Sequence, residues 1–195
     1  MEMASTHPPA RIGRTEWAEA ALMALTDMGP TGVSVEGVAR RLGVTKGSFY
    51  WHFSGREELL SCALDLWQQV HTTALIDASN AAGSPRERLE ALFRAVALSP
   101  ISSGELGLYA GTRDPLVGKA VLAVTQARTA YVSDLLGLLG FDPVQARHRA
   151  DLALAMVIGQ RTLAAALPDR VIDEATNLAH AALALTLLTA PPPGD

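Results

Sequence analysis

At three expected helix starts this sequence sets a capping residue directly before a proline, Ser84-Pro85, Asp114-Pro115 and Asp142-Pro143. A side-chain oxygen at the N-cap followed by proline at the first helical position is how helices start, because proline lacks an N–H that would be orphaned there. No stretch alternates apolar and polar residues with period two, so strands have no signal to form from. The expectation is an all-α chain of roughly nine helices. Thr15 can cap a first helix with the stripe Ala18, Ala21, Leu22, Leu25 and Met28, stopped by Gly29-Pro30. Ser34 can cap a second, with Val35, Val38, Ala39 and Leu42 on one face. Gly43 allows a left-handed turn, and Thr45 can cap a third. Ser54 with Glu57 reads as a capping box opening a long fourth helix that runs to about Asn80. Ser84 opens the fifth, Ser102 with Glu105 a short sixth, Asp114 the seventh and Asp142 the eighth, broken at Pro168. The ninth runs from about Arg170 to Thr189, before a frayed tail at 191–195.

Composition narrows the class. Of 195 residues 49% are apolar and 18% charged, enough to bury a core and too little charge for a disordered polyelectrolyte. A single cysteine, Cys62, excludes an internal disulfide and a cysteine-based zinc site. The first fourteen residues hold no apolar run and include Pro8 and Pro9, so no secretory signal is expected and the cytoplasm is the expected compartment. The net charge of −4 argues against coating nucleic acid by bulk charge. It is unevenly spread: residues 1–56 carry six basic against five acidic side chains, and the remainder ten against fifteen. A locally basic end on an acidic body leaves room for a small nucleic-acid footprint.

The last two helices are short of charge. Residues 152–160 carry no charged side chain, and neither do 175–194. A helix wetted on one side normally has a polar face. Two readings are open: a homodimer interface built from helices eight and nine, which is preferred, or a well-buried core pair. A membrane span is disfavoured, because Ala175–Ala190 is shorter than the ~20 apolar residues a span needs and contains Asn177 and His180.

Residues 34–58 read SVEGVARRLGVTKGSFYWHFSGREE. Two short helices across a glycine turn match a helix-turn-helix. Four of the chain's ten aromatics fall between Phe49 and Phe53. Phe49 and Phe53 share one face at i, i+4, while Tyr50 lies on another beside Lys46. Lysine, tyrosine and Gly47, which permits close backbone approach, suit phosphates and base edges in a major groove. An ordinary helical hairpin with a surface tyrosine is the alternative.

From Gly43 to Leu59 the run GVTKGSFYWHFSGREEL resembles the DNA-binding domain of the TetR/AcrR family of bacterial transcriptional regulators, with support over roughly residues 11–67. The resemblance implies a three-helix DNA-binding domain at 11–56 behind a disordered arm at 1–10, and an effector-binding and dimerisation domain at 57–190. It implies a homodimer on double-stranded DNA with a palindromic operator, a ligand-responsive repressor rather than an enzyme. Lys46, Gly47, Ser48 and Tyr50 would lie in or beside the major groove, and Thr45, His52 and Arg56 would hold phosphates. Ser34 would cap the supporting helix and present its N–H to phosphate, and Arg11 and Arg14 would form a flexible arm. Two departures from the family pattern stand out: Gly37, which weakens the second helix by up to about 1 kcal/mol, and Gly55, where lysine is commoner. Glu36 near the DNA face either repels phosphate or accepts from a cytosine amine.

Within the larger domain Trp67, His71, Phe93, Tyr109, Arg113, Tyr131 and Gln160 are candidate lining of a pocket for a small, largely apolar effector, and equally candidate core. A dimer without an effector and an α-helical enzyme with an apolar pocket are the alternative functions. Cys62 and His71 lie on opposite sides of their helix, so no nucleophile pair forms there. His148 and Asp151 at i, i+3 lack a third ligand, so no metal is expected, nor any cofactor or catalytic residue. Gly104, Gly107 and Gly111 follow no strand and form no phosphate loop. His180 reads as an interface histidine.

Overall fold

A computed structural model describes residues 12–99, 103–167 and 173–191, and among these every regular element is helical. The elements are α1 (Arg14–Met28), α2 (Val35–Leu42), α3 (Lys46–Phe49), α4 (Arg56–Gln68), α5 (Pro85–Leu98), α6 (Ser103–Ala110), α7 (Pro115–Leu138), α8 (Pro143–Ala166) and α9 (Glu174–Thr189). A 3-10 turn, Pro30–Gly32, joins α1 to α2. α4 does not stop at Gln68: it continues through a π-helical turn at Gln69–Thr73 and resumes as α-helix over Ala74–Asn80. The arm at 1–10, Arg11, Ser102, the start of the last helix near Arg170 and residues 192–195 lie outside the described residues.

The caps explain most boundaries. Ser84 and Glu87 form a reciprocal capping box on α5. Asp114 accepts from the N–H groups of Leu116 and Val117, and Asp142 from those of Val144 and Gln145. Asp173 caps α9 through Thr176 N–H at 2.8 Å. Three expected caps differ. α1 begins at Arg14 rather than after Thr15, because Glu16 reaches back to Gly13 N–H at 2.8 Å. α4 starts after Gly55, so the third helical position is Glu58, not Glu57, and Glu58 takes the bonds from Ser54 N–H and Oγ–H at 2.7 and 2.8 Å. Thr45 holds the N-cap position of α3 but makes no side-chain cap bond; instead Ser48 Oγ–H donates to its carbonyl at 2.7 Å.

Two apolar clusters hold the chain together. The first gathers Trp17, Leu25, Val38, Phe49, Leu59, Leu60 and Trp67 from α1 to α4, and continues into Leu108 of α6 and Val117, Val121 and Val124 of α7. It therefore crosses the boundary expected between residues 56 and 57. Gly111, just past α6, permits this packing: a Cβ there would lie 3.2 Å from the Pro30 ring. The second cluster joins Leu89, Val132, Leu135, Leu136, Ala146, Ala150, Ala153, Leu185 and Leu188 from α5, α7, α8 and α9. α8 packs on α7, and α9 on α5, which leaves outward faces on both. Leu152 and Leu163 of α8 and Leu183 and Leu187 of α9 are each more than half exposed in the single chain. No described helix is long and apolar enough to cross a membrane.

Candidate nucleic-acid interface and internal cavity

α3 has only four residues, too few to stand as an isolated helix. Tertiary contacts hold it. Phe49 is fully buried, edge-on to Trp17 with centroids 5.3 Å apart and stacked on Phe53 at 5.4 Å. Gly43, at φ 69°, turns the chain from α2 into this segment in a conformation that favours glycine. Ser34 Oγ accepts from Gly37 N–H at 3.0 Å, and a Cβ at Gly37 would come within 2.8 Å of that oxygen. The departure at Gly37 thus leaves the α2 cap room.

With Phe49 inward, the other side of α3 faces solvent. Ser34, Thr45, Lys46, Gly47 and Tyr50 are exposed, while Ser48 and His52 are half-buried. Tyr50 packs edge-on against Phe49 at 5.2 Å yet remains 60% exposed. Trp51, not among the expected contacts, is 87% exposed beside it. Its signal was present in the aromatic run but gave no reason to separate it from the core.

Nearby charges are internally committed. Lys46 Nζ pairs with Glu36, whose carboxyl is held below its ordinary range by that lysine, while the lysine is raised in turn. Glu36 therefore contacts its own chain. Arg41 pairs with Asp27 at 2.8 Å. Arg14 is not part of a free arm: it is the first residue of α1, pairs with Glu58 at 2.6 Å, donates to the His52 carbonyl and lies over the Phe53 ring. Arg56 is also less available than expected, since its guanidinium donates to the carbonyls of Val33 and Pro30 and ties α4 to the α1–α2 turn. Arg40 has no ion pair or side-chain hydrogen bond among the described residues. Solvent-exposed pairs such as Lys46–Glu36 contribute little, so a phosphate can take the lysine at small cost.

A second feature lies between α4, α5, α7, α8 and α9: a cavity of about 150 Å³. Of the expected lining residues, His71, Phe93, Tyr131 and Gln160 surround it together with apolar side chains such as Leu75, Ile76 and Val157. Trp67, Tyr109 and Arg113 do not line it. Trp67 is buried in the first apolar cluster, Tyr109 packs against that cluster, and Arg113 is exposed beyond α6. Tyr131 is anchored by its hydroxyl between Ser79 Oγ at 2.7 Å and Asn80 Oδ1 at 2.9 Å.

One wall of the cavity is ionic, and sequence reasoning missed it. Glu105 of α6, expected to cap its own helix, is buried, and two arginines meet it: Arg128 of α7 at 2.7 Å and Arg161 of α8. Glu105 Oε1 faces Arg128 off the line of its N–H groups, so that contact is Coulombic rather than an aligned hydrogen bond. Arg128 gives two aligned donors to α4, Nε–H to Thr72 Oγ1 and Nη2–H to the His71 carbonyl, each at 3.0 Å, and a third, Nη1–H, to the Tyr109 hydroxyl of α6 at 3.4 Å. The two acceptors on α4 lie in the π-helical turn. Burial, then the nearby Arg128 and Arg161, lowers the His71 pKa. Among the described residues no cluster of three metal-binding side chains occurs.

Residues 18–62 match the sequence profile of the family described as bacterial regulatory proteins, tetR family. The uncharacterized HTH-type transcriptional regulator TtgW of Pseudomonas putida is 36% identical over 59 residues, covering 30% of this chain and 44% of that protein. The HTH-type transcriptional regulator TtgR of the same species is 33% identical over 66 residues, 34% of this chain and 31% of TtgR. The matched stretch thus spans less than half of either relative. Whole-chain likeness is in fold. A transcriptional regulator from Rhodococcus sp. superposes with a TM-score of 0.74 at 21% identity, covering 93% of this chain and all of that one. A TetR-family regulator from Streptomyces coelicolor gives 0.72 at 22%, covering 91% and 90%. A transcriptional regulator from Saccharomonospora viridis, solved with choline, gives 0.71 at 17%, covering 87% and 93%.

Proposed function

We propose that this chain, whose residues 18–62 match the tetR family profile, is a DNA-binding regulator of that family and acts in the cytoplasm as a homodimeric, ligand-responsive repressor on a palindromic operator. The observation that carries the reading is α3: a four-residue helix pinned by buried Phe49, with Lys46, Gly47 and Tyr50 turned to solvent. Such a helix is built to present a surface, and its chemistry suits a major groove. Ser48 and Trp51 flank that surface, and Ser34, Thr45 and His52 lie where they can meet phosphates. Arg56 acts mainly by fixing the α1–α2 turn.

The exposed leucines of α8 and α9 support a dimer through these two helices, because an isolated chain rarely leaves so apolar a pair of faces to water. Residues 12–56 would read DNA, and residues 57–190 would bind effector and dimerise. An effector in the cavity would act on α4, which enters at the DNA-binding end and lines the cavity through His71, Thr72, Leu75 and Ile76. It shifts the operator equilibrium only if it prefers the DNA-incompetent arrangement.

The test is selection of random duplex DNA by the purified protein, then anisotropy on the enriched site across salt concentrations. The expected result is an enriched palindrome bound by a dimer, with affinity falling steeply with salt. A folded dimer that enriches no sequence, even after unfolding, removal of small molecules and refolding, would refute the DNA-binding assignment.

A further inference from the structure

The cavity wall is one negative charge short. Its ionisable side chains among the described residues are His71, Glu105, Arg128, Tyr131, Arg161 and His180, and Glu105 is the only carboxylate. Two guanidiniums meet that one carboxylate, with Glu105, Arg128 and Arg161 only 7%, 19% and 14% exposed. Arginine does not discharge in proteins, so burial cannot relieve the excess by deprotonation. A buried charge without a counter-charge is strongly unfavourable. Arg128 is committed to the π-helical turn of α4 through Thr72 and the His71 carbonyl. Arg161 is not: its partner among the described residues is Glu105 alone. Away from this wall the lining turns apolar, with Leu75, Ile76, Phe93 and Val157.

We propose that the cavity takes a compact monocarboxylate, its carboxylate on Arg161 beside Arg128 and its hydrocarbon part against the apolar lining. The expectation of a largely apolar effector is thereby given a charged head. A cavity of about 150 Å³ is also the size at which an engineered protein cavity holds benzene, which sets the scale of the hydrocarbon part. Burial, then Arg128 and Arg161, lowers the His71 pKa and so disfavours a further positive charge on this wall. An anion on Arg161 would compete with Glu105, which sits on α6 three residues before Leu108 in the core of the DNA-binding end. This inference rests on the cavity being the effector site.

Calorimetric titration of the full-length protein tests it with probes differing only in the head group: octanoate, octan-1-ol and octylammonium, then phenylacetate and 2-phenylethanol. Charge-assisted bonds in a dry site predict carboxylates binding at least about tenfold tighter than their alcohols. Arg161→Gln should erase that preference, Arg161→Lys should largely restore it, and Glu105→Gln, which removes the competing anion, should strengthen carboxylate binding. A structural role alone would weaken binding in both the Arg161→Gln and Glu105→Gln proteins. If Arg161→Gln does not fold, a carboxylate preference kept in Arg161→Lys and tightened in Glu105→Gln decides for the inference, and weakened carboxylate binding in Glu105→Gln decides against it. Alcohols binding as tightly as acids, octylammonium binding best, or no probe binding a folded protein would each overturn the inference. Operator anisotropy with octanoate is measured separately. Carboxylate binding that depends on Arg161 but leaves operator affinity unchanged would preserve this inference and refute the effector role of the site.

Discussion

Replacing Phe49 with alanine separates what builds the recognition surface from what that surface does. Phe49 is fully buried, and its ring meets Trp17, Phe53 and Tyr50 at 5.3, 5.4 and 5.2 Å. Removing a core phenylalanine costs about 3–5 kcal/mol through lost transfer energy and the cavity left behind. Part of that is the aromatic contacts, each worth roughly 0.5–1.5 kcal/mol. A four-residue helix has nothing of its own to offset the loss. Tyr50→Ala makes the contrast: its ring is 60% exposed and makes one of those contacts, so it should cost about 1 kcal/mol or less. Urea unfolding followed by circular dichroism gives the stabilities, and anisotropy on the selected operator gives the affinities. The expected pattern is a large stability loss only in Phe49→Ala, and loss of operator binding in both. A stability cost below about 1 kcal/mol for Phe49→Ala would refute the view that this residue anchors α3. Wild-type operator affinity for Tyr50→Ala with Lys46→Ala would refute the assigned surface.

Other outcomes follow from the same structure. Leu183→Asp with Leu187→Asp, both on the exposed face of α9, should sediment as a folded monomer, and a surviving dimer would place the interface elsewhere. Ser54 N–H and Oγ–H, then Arg14, hold Glu58 at about 2 against its ordinary 4.5. A depressed carboxyl stabilises above its ordinary value, so its contribution should fade as pH drops from 4.5 toward 2. Glu58→Gln should flatten that part of the acid-unfolding curve, and parallel curves would contradict the assignment. Asp142→Ala removes two N-cap bonds and should lower stability by about 1 kcal/mol, read by thermal melting.

Local chemistry was the legible part. Ser84, Asp114 and Asp142 announce their helices because a cap is decided within four residues of chain. The Gly43 turn and the inward Phe49 and Phe53 could be read for the same reason. The expected caps miss by two positions at Thr15 and by one at Ser54 and Glu57, because Gly13 and Gly55 take the cap sites. Placement by packing was not legible. Trp67 and Tyr109 point to the first cluster rather than to the cavity because α6 and α7 close over that end. Glu105, Arg128 and Arg161 lie far apart in sequence on three different helices, and only helix packing brings them together. The π-helical turn that receives Arg128 has no residue signature in QVHTT.

The apolar cluster shared by α1–α4 with α6 and the start of α7 has a consequence for grafting. An N-terminal module exchanged between two chains of this fold by cutting at residue 56 would leave Leu108, Val117, Val121 and Val124 without their native neighbours, and the foreign head without its floor. A graft that carries the lining positions of α6 and α7 along with the head keeps that floor intact. The seam at which this protein can be cut is a surface between side chains, and no single peptide bond marks it.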